Sequence, residues 1–231
     1  MSGPGVLVAA AVTVAAVACT TEVGDGSGPP PPQPAPERLV RAGAIAVDVV
    51  SGDLDADGVE EVAVSSVSGR PGELGIAIPY LEVFDVREAR WIRVFDATGA
   101  APPGAGSPAE MLAGADGFVG QSVQALEVVD FAGDARPELV VGIASFGATA
   151  GPVELWIVSM TATGDLVTEF YRSTERGGEI AVVGDRIRLE YGVYRSRDPG
   201  CCPSLRAVET IGWDPAAGSI DVLTRRRTET R

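Results

Sequence analysis

The most specific chemistry in this chain is packed into ten residues. Residues 52–61 read Gly-Asp-Leu-Asp-Ala-Asp-Gly-Val-Glu-Glu. Asp53, Asp55 and Asp57 alternate, so three carboxylates can converge on one point, and Gly58 permits a sharp turn with positive φ. Calcium wants six to eight oxygen ligands at ~2.3–2.6 Å, drawn from closely spaced carboxylates and a backbone carbonyl. The Val59 carbonyl and the Glu61 carboxylate complete such a set. An EF-hand would place its bidentate Glu at loop position 12, which is Val64 here. The last acid stands at position 9 instead, and a β-branched run follows, so an EF-hand is excluded. Acid–base catalysis by paired carboxylates needs environments that drive their pKa values apart. Acids alternating along one tight loop are arranged to share a cation. The plain alternative is an Asp/Gly-rich β-turn on a solvated edge.

A second acidic segment starts 77 residues later, at Asp130, and reads Asp-Phe-Ala-Gly-Asp-Ala-Arg-Pro-Glu before Leu139-Val140-Val141. Phe118-Val119-Gly120-Gln121-Ser122-Val123 precedes it, and Gly151-Pro152-Val153-Glu154-Leu155-Trp156 follows. With the first loop, these segments resemble the FG-GAP (integrin α-type, or VCBS-like) repeat over about residues 42–172. The resemblance implies a β-blade whose acidic loop ligates Ca²⁺. In the second loop Ala132 replaces one carboxylate and Ala135 stands where the turn glycine belongs. Asp130, Asp134, Glu138 and the Arg136 carbonyl remain as a possible weaker metal set, with a solvated turn as the better reading there.

The elements that must carry these loops read as β throughout. Short, β-branched apolar segments bounded by Gly, Pro or Asp occur at 45–50, 61–67, 80–86 and 91–96. Four more occur at 122–129, 138–144, 153–160 and 166–171, and a last four at 179–183, 186–194, 205–213 and 219–224. Helical periodicity is confined to a turn or two at 108–114. The expected fold is all-β, with repeated four-stranded, blade-like units at about 42–97, 118–173 and 178–225 inside one domain spanning 39–231. Three units fall short of the four blades of a closed propeller, so an open propeller-like stack or a sandwich follows. Trp91, Trp156 and Trp213 fall once in each unit and read as core.

Ahead of this domain, residues 6–18 are small and apolar except Thr13, too short a run to span a bilayer but suited to a signal peptide over 1–18. The run ends Ala16-Val17-Ala18-Cys19, which resembles a bacterial lipobox and makes Cys19 the expected lipidation site. Ordinary signal cleavage near Ala18 is the alternative. Residues 19–38 hold Gly24, Gly26, Gly28 and a proline cluster at 29–36, the composition of an extended polyproline-II tether. The expected location is the outer face of the cytoplasmic membrane, in the cell envelope, with the membrane met only through the lipid.

Composition restricts function further. The 231 residues carry a formal charge of −14, which repels phosphate backbones, so nucleic acid is not an expected partner. The sequence contains no His, Lys or Asn, and all 18 basic residues are Arg. Imidazole ligands, Ser-His-Asp arrangements, P-loop lysines and N-glycosylation are therefore excluded. The adjacent Cys201 and Cys202 lie in Asp198-Pro199-Gly200-Cys201-Cys202-Pro203-Ser204, a segment similar to ones in exported actinobacterial lipoproteins. They read as a stiffening disulfide, a redox pair or separate thiols. Arg225, Arg226 and Arg227 read as a solvated strand end. The functional expectation is a lipid-anchored, calcium-binding binding or scaffold module that meets an unidentified envelope or extracellular protein. An envelope hydrolase, or an accessory subunit of an envelope enzyme, is the alternative.

Overall fold

Alternating apolar residues put one face of each strand into a core, and the computed structural model shows how those faces meet. It describes residues 38–40, 43–68, 78–87, 90–98, 120–146, 150–174, 176–199 and 202–230. The helical turn expected at 108–114 lies outside them, as do residues 1–37 with the expected signal peptide, Cys19 and most of the tether.

Among the described residues twelve strands form three four-stranded antiparallel sheets, none of them closed. Sheet A holds β1 (Ala44–Gly52), β2 (Glu61–Ser68), β3 (Ile78–Arg87) and β4 (Arg90–Thr98). Sheet B holds β5 (Gly120–Val129), β6 (Glu138–Phe146), β7 (Ala150–Met160) and β8 (Leu166–Ser173). Sheet C holds β9 (Glu179–Val183), β10 (Arg186–Val193), β11 (Leu205–Asp214) and β12 (Ser219–Glu229). Each sheet is a meander in chain order, so the expected open arrangement of four-stranded units is what the chain forms.

Sheet B lies between the other two. Leu139, Val141 and Ile143 of β6 join Trp156 and Val158 of β7 in one core with Ala63, Leu81 and Val83 of sheet A. Val140, Leu155 and Ile157 point the other way and pack on Ile187, Leu189 and Ile211 of sheet C. Burial on both faces explains why β6 and β7 read as near-continuous apolar runs. The far face of sheet A carries Val62, Val64 and Phe84, with Leu39, Val40 and Trp91 packed against them. Sheets B and C meet closely at Gly142, where a Cβ would stand 2.6 Å from Ile180 Cδ1.

A polar contact also joins these two sheets. Glu209 is fully buried and accepts from Arg172 Nε at 3.0 Å, from Arg172 Nη2 at 2.8 Å and from Tyr191 Oη at 2.5 Å. Arg225 Nε stands 2.6 Å from the same carboxylate, so one residue of the expected solvated arginine run is an ion-pair partner.

The three units share a detail that the sequence pattern does not show. The third and fourth strands of every sheet slip register by one residue. Val83 pairs with Phe95 but Phe84 with Arg93. Ile157 pairs with Phe170 but Val158 with Thr168, and Thr210 pairs with Thr224 but Ile211 with Val222. The bulged residues are therefore Val94, Glu169 and Leu223. A bulge recurring at one place identifies the third sheet as the same kind of unit although it lacks an acidic loop.

Candidate metal centre

The first acidic loop connects β1 to β2, and its own backbone folds it around Asp53. Asp53 Oδ1 accepts the Asp57 N–H at 2.9 Å, and Oδ2 accepts the Gly58 N–H at 3.0 Å. Asp55 Oδ1 also accepts from Asp57 N–H, at 3.1 Å. Ala56 and Gly58 take the left-handed conformation at φ 61° and 89°, the two corners that reverse the chain. Leu54, 3% exposed, is the apolar anchor that seats the loop on the core between sheets A and B.

Glu61 opens β2 and is fully buried. Its Oε2 accepts the Leu54 N–H at 2.6 Å, while its Oε1 is buried with no hydrogen-bond partner. One carboxylate oxygen each from Asp53, Asp55 and Glu61 lies within 4.8 Å of the others. Burial pushes the Glu61 carboxyl up to about 7 against the lowering effect of the Leu54 N–H, and the charges of Asp55, Asp85 and Asp57 add to the rise. Asp55 is raised by burial and then by the Asp57 charge. A site that raises its own carboxylates in this way is short of positive charge, and an orphaned buried oxygen marks where a cation fits. The three carboxylates can thus hold a metal ion.

The remaining members of the proposed set are placed differently. Asp57 sits at the exposed tip, where its Oδ1 accepts the Val59 N–H at 2.8 Å, and it stands outside the converging trio. Val59 follows it on the way into β2. Sequence spacing did not single out Asp85, a buried carboxylate near the end of β3 whose charge acts on both Asp55 and Glu61. Arg87 Nε pairs with Asp85 at 2.7 Å and its Nη2 reaches the Thr163 carbonyl at 3.3 Å, tying sheet A to the β7–β8 turn. The available signal was an acid at an inward-facing strand position, two residues after Val83.

The second loop, between β5 and β6, repeats the same backbone. Asp130 accepts from Gly133 N–H at 2.6 Å and Ala135 N–H at 3.0 Å, and Glu138 Oε2 accepts from Phe131 N–H at 3.2 Å. Phe131, 4% exposed, anchors it as Leu54 anchors the first. Gly133 and Ala135 take φ 72° and 64°, so an alanine adopts the corner that Gly58 fills in the first loop. Glu138 is likewise pushed up to about 7, by burial against the N–H groups of Phe131 and its own residue, with the Asp130 and Asp134 charges adding. Yet Asp130, Asp134 and Glu138 form no converging trio; among the described residues only Asp53, Asp55 and Glu61 do. Ala132, in place of a carboxylate, accounts for the difference. Arg136 lies exposed beyond Asp134, whose Oδ1 accepts its N–H at 3.0 Å.

Cys202 lies exposed in the β10–β11 connection and donates its N–H to the Pro199 carbonyl at 3.0 Å; Cys201 and any pairing between the two fall outside the described residues. Asp198 braces this connection, its Oδ2 accepting from Arg195 N–H at 2.7 Å and Ser204 N–H at 2.8 Å. Neither the models of known protein families nor the curated proteins contain a match to this chain.

Proposed function

We propose that the first loop holds Ca²⁺ through Asp53, Asp55 and Glu61, with Asp57 and the Val59 carbonyl drawn in when the ion binds. The chain is then an FG-GAP-like binding or scaffold module of the cell envelope in which calcium is structural. The observation that carries this reading is Glu61 Oε1, buried without a partner among converging carboxylates. Calcium rather than magnesium suits a set of several carboxylates and a backbone carbonyl, because magnesium demands near-ideal octahedral geometry and keeps its waters. A bound ion replaces carboxylate repulsion with attraction and fixes the loop between β1 and β2.

Binding to the folded state alone raises stability by about 2.7 kcal/mol at 100-fold excess over Kd. For a domain of this size that corresponds to an upward shift in melting temperature of roughly 5–10 °C. The test is thermal melting of the purified chain in Ca²⁺ and in chelator, repeated for Glu61→Gln and Asp55→Ala. A shift retained in both variants would remove the ion from this loop. The envelope location rests on the lipobox-like end at Cys19, where incorporation of labelled fatty acid must be lost in Cys19→Ala.

A further inference from the structure

A concavity lined by none of the first loop's carboxylates borders the second acidic loop. The second acidic loop, the β7–β8 turn and the β11–β12 turn enclose a cleft of about 530 Å³, and Leu54 contributes to its wall, so all three sheets build it. That volume suits a small organic ligand. The walls differ in chemistry. Sheet B supplies Asp134, Glu138 and Glu169 against a single cation, Arg136, while sheet C supplies Trp213 and Ile220 and no charge.

Glu169 is the informative member. It is the bulged residue of sheet B, and the same bulge in the other sheets is filled by the apolar Val94 and Leu223. The backbone device therefore needs no carboxylate, and bulges re-aim side chains beside binding sites. Ser159 Oγ donates to Glu169 Oε1 at 2.6 Å and orients it. Ser159 in turn stands at the strand position that Asp85 fills in sheet A.

We propose that this cleft binds an alkylammonium group, its head among the carboxylates of sheet B and its apolar stem along Trp213 and Ile220. An ammonium offers three donors to the exposed acids Asp134 and Glu169, and an apolar stem can lie against Trp213 and Ile220. An anion would meet the acid excess. A bare divalent ion needs converging oxygens, and among the described residues only the first loop supplies three. A neutral polyol would find Arg136 as its one charged donor. The inference does not rest on calcium in the first loop.

Isothermal titration of the full chain, in 150 mM NaCl with saturating Ca²⁺, would compare 1,4-diaminobutane with the isosteric 1,4-butanediol. One diamine is expected per chain and no diol. Glu169→Gln, an exposed isostere that leaves the core untouched, is expected to weaken diamine binding at least tenfold, while Asp48→Asn on exposed β1 leaves it unchanged. Equal binding of the diol, or equal losses in both variants, would overturn the proposal, the latter by showing diffuse attraction to an acidic chain. Spermidine run beside a Lys-Ala-Lys peptide distinguishes a free polyamine from a basic protein segment as the source of the ammonium.

Discussion

At the scale of single residues, the loops turn on four left-handed corners: Ala56 and Gly58 in the first, Gly133 and Ala135 in the second. An alanine held there costs roughly 1–2 kcal/mol that glycine avoids, set against the ~0.4–1 kcal/mol of unfolded-chain freedom that glycine adds. Ala135→Gly is therefore expected to stabilise by about 0.5 kcal/mol. Gly58→Ala should destabilise by about 0.5 kcal/mol, because a Cβ at Gly58 meets nothing and the strain outweighs the chain freedom it removes. Urea unfolding of the two variants checks both signs. Glu61 and Glu138 set the response to pH. Both carboxyls rise from 4.5 to about 7 on folding, so the metal-free folded state holds more protons than the unfolded chain across that window. Its stability then falls as pH climbs from 4.5 through about 7, and with Ca²⁺ held as proposed the calcium-dependent increment should grow over the same range, because the ligand would be the carboxylate. Melting from pH 4.5 to 8, in chelator and in Ca²⁺, should show the two curves part as pH rises, and Glu61→Gln should close that gap and leave only the part of the fall that Glu138 carries. The alternating Asp–Gly pattern made the loop readable from sequence alone. Asp85 was not readable, since its approach to Glu61 arises from the pairing of β2 with β3, which a linear pattern does not contain.

At the scale of elements, all twelve strands were legible because alternation and Gly, Pro or Asp boundaries act locally. The bulges at Val94, Glu169 and Leu223 were not, because one unpaired residue is defined only by its partner strand. The contact between Arg172 and Glu209 was hidden for the same reason, joining residues of different sheets. Burial pushes the Glu209 carboxyl up, but hydrogen bonds from Tyr191 and Arg172 and the charges of Arg172 and Arg225 hold it below the usual carboxylate range. Its stabilisation is thus present above about pH 4.5 and is lost as acid protonates it in the folded state. Removing one partner of a buried pair typically costs about 3–5 kcal/mol. Arg172→Ala should cost about 2–3 kcal/mol, because Tyr191 and Arg225 remain on Glu209. Replacing the buried set by apolar residues, Arg172→Met with Glu209→Leu and Tyr191→Phe, should recover most of that loss in equilibrium unfolding, with half-exposed Arg225 left to solvent.

At the scale of the whole molecule, the charge of −14 opposes compaction at low ionic strength. Raising NaCl from about 10 mM, where the Debye length is ~30 Å, to about 100 mM shortens it to ~10 Å. The metal-free protein should gain about 1 kcal/mol, a rise of about 2–4 °C in melting temperature, measurable by calorimetry. The number of units and their open ends followed from the grouping of strands. Which sheet lies in the middle did not, because the two buried faces of the run from Leu139 to Ile143 show themselves only against the neighbouring sheets. That middle position has a consequence for how such a sequence can drift. A strand with one open face keeps half its positions at liberty to change, whereas β6 and β7 of sheet B answer to a neighbour at almost every residue. Variation is channelled to sheets A and C and to the turns, and new recognition surfaces can arise at the two ends while the centre is inherited nearly intact.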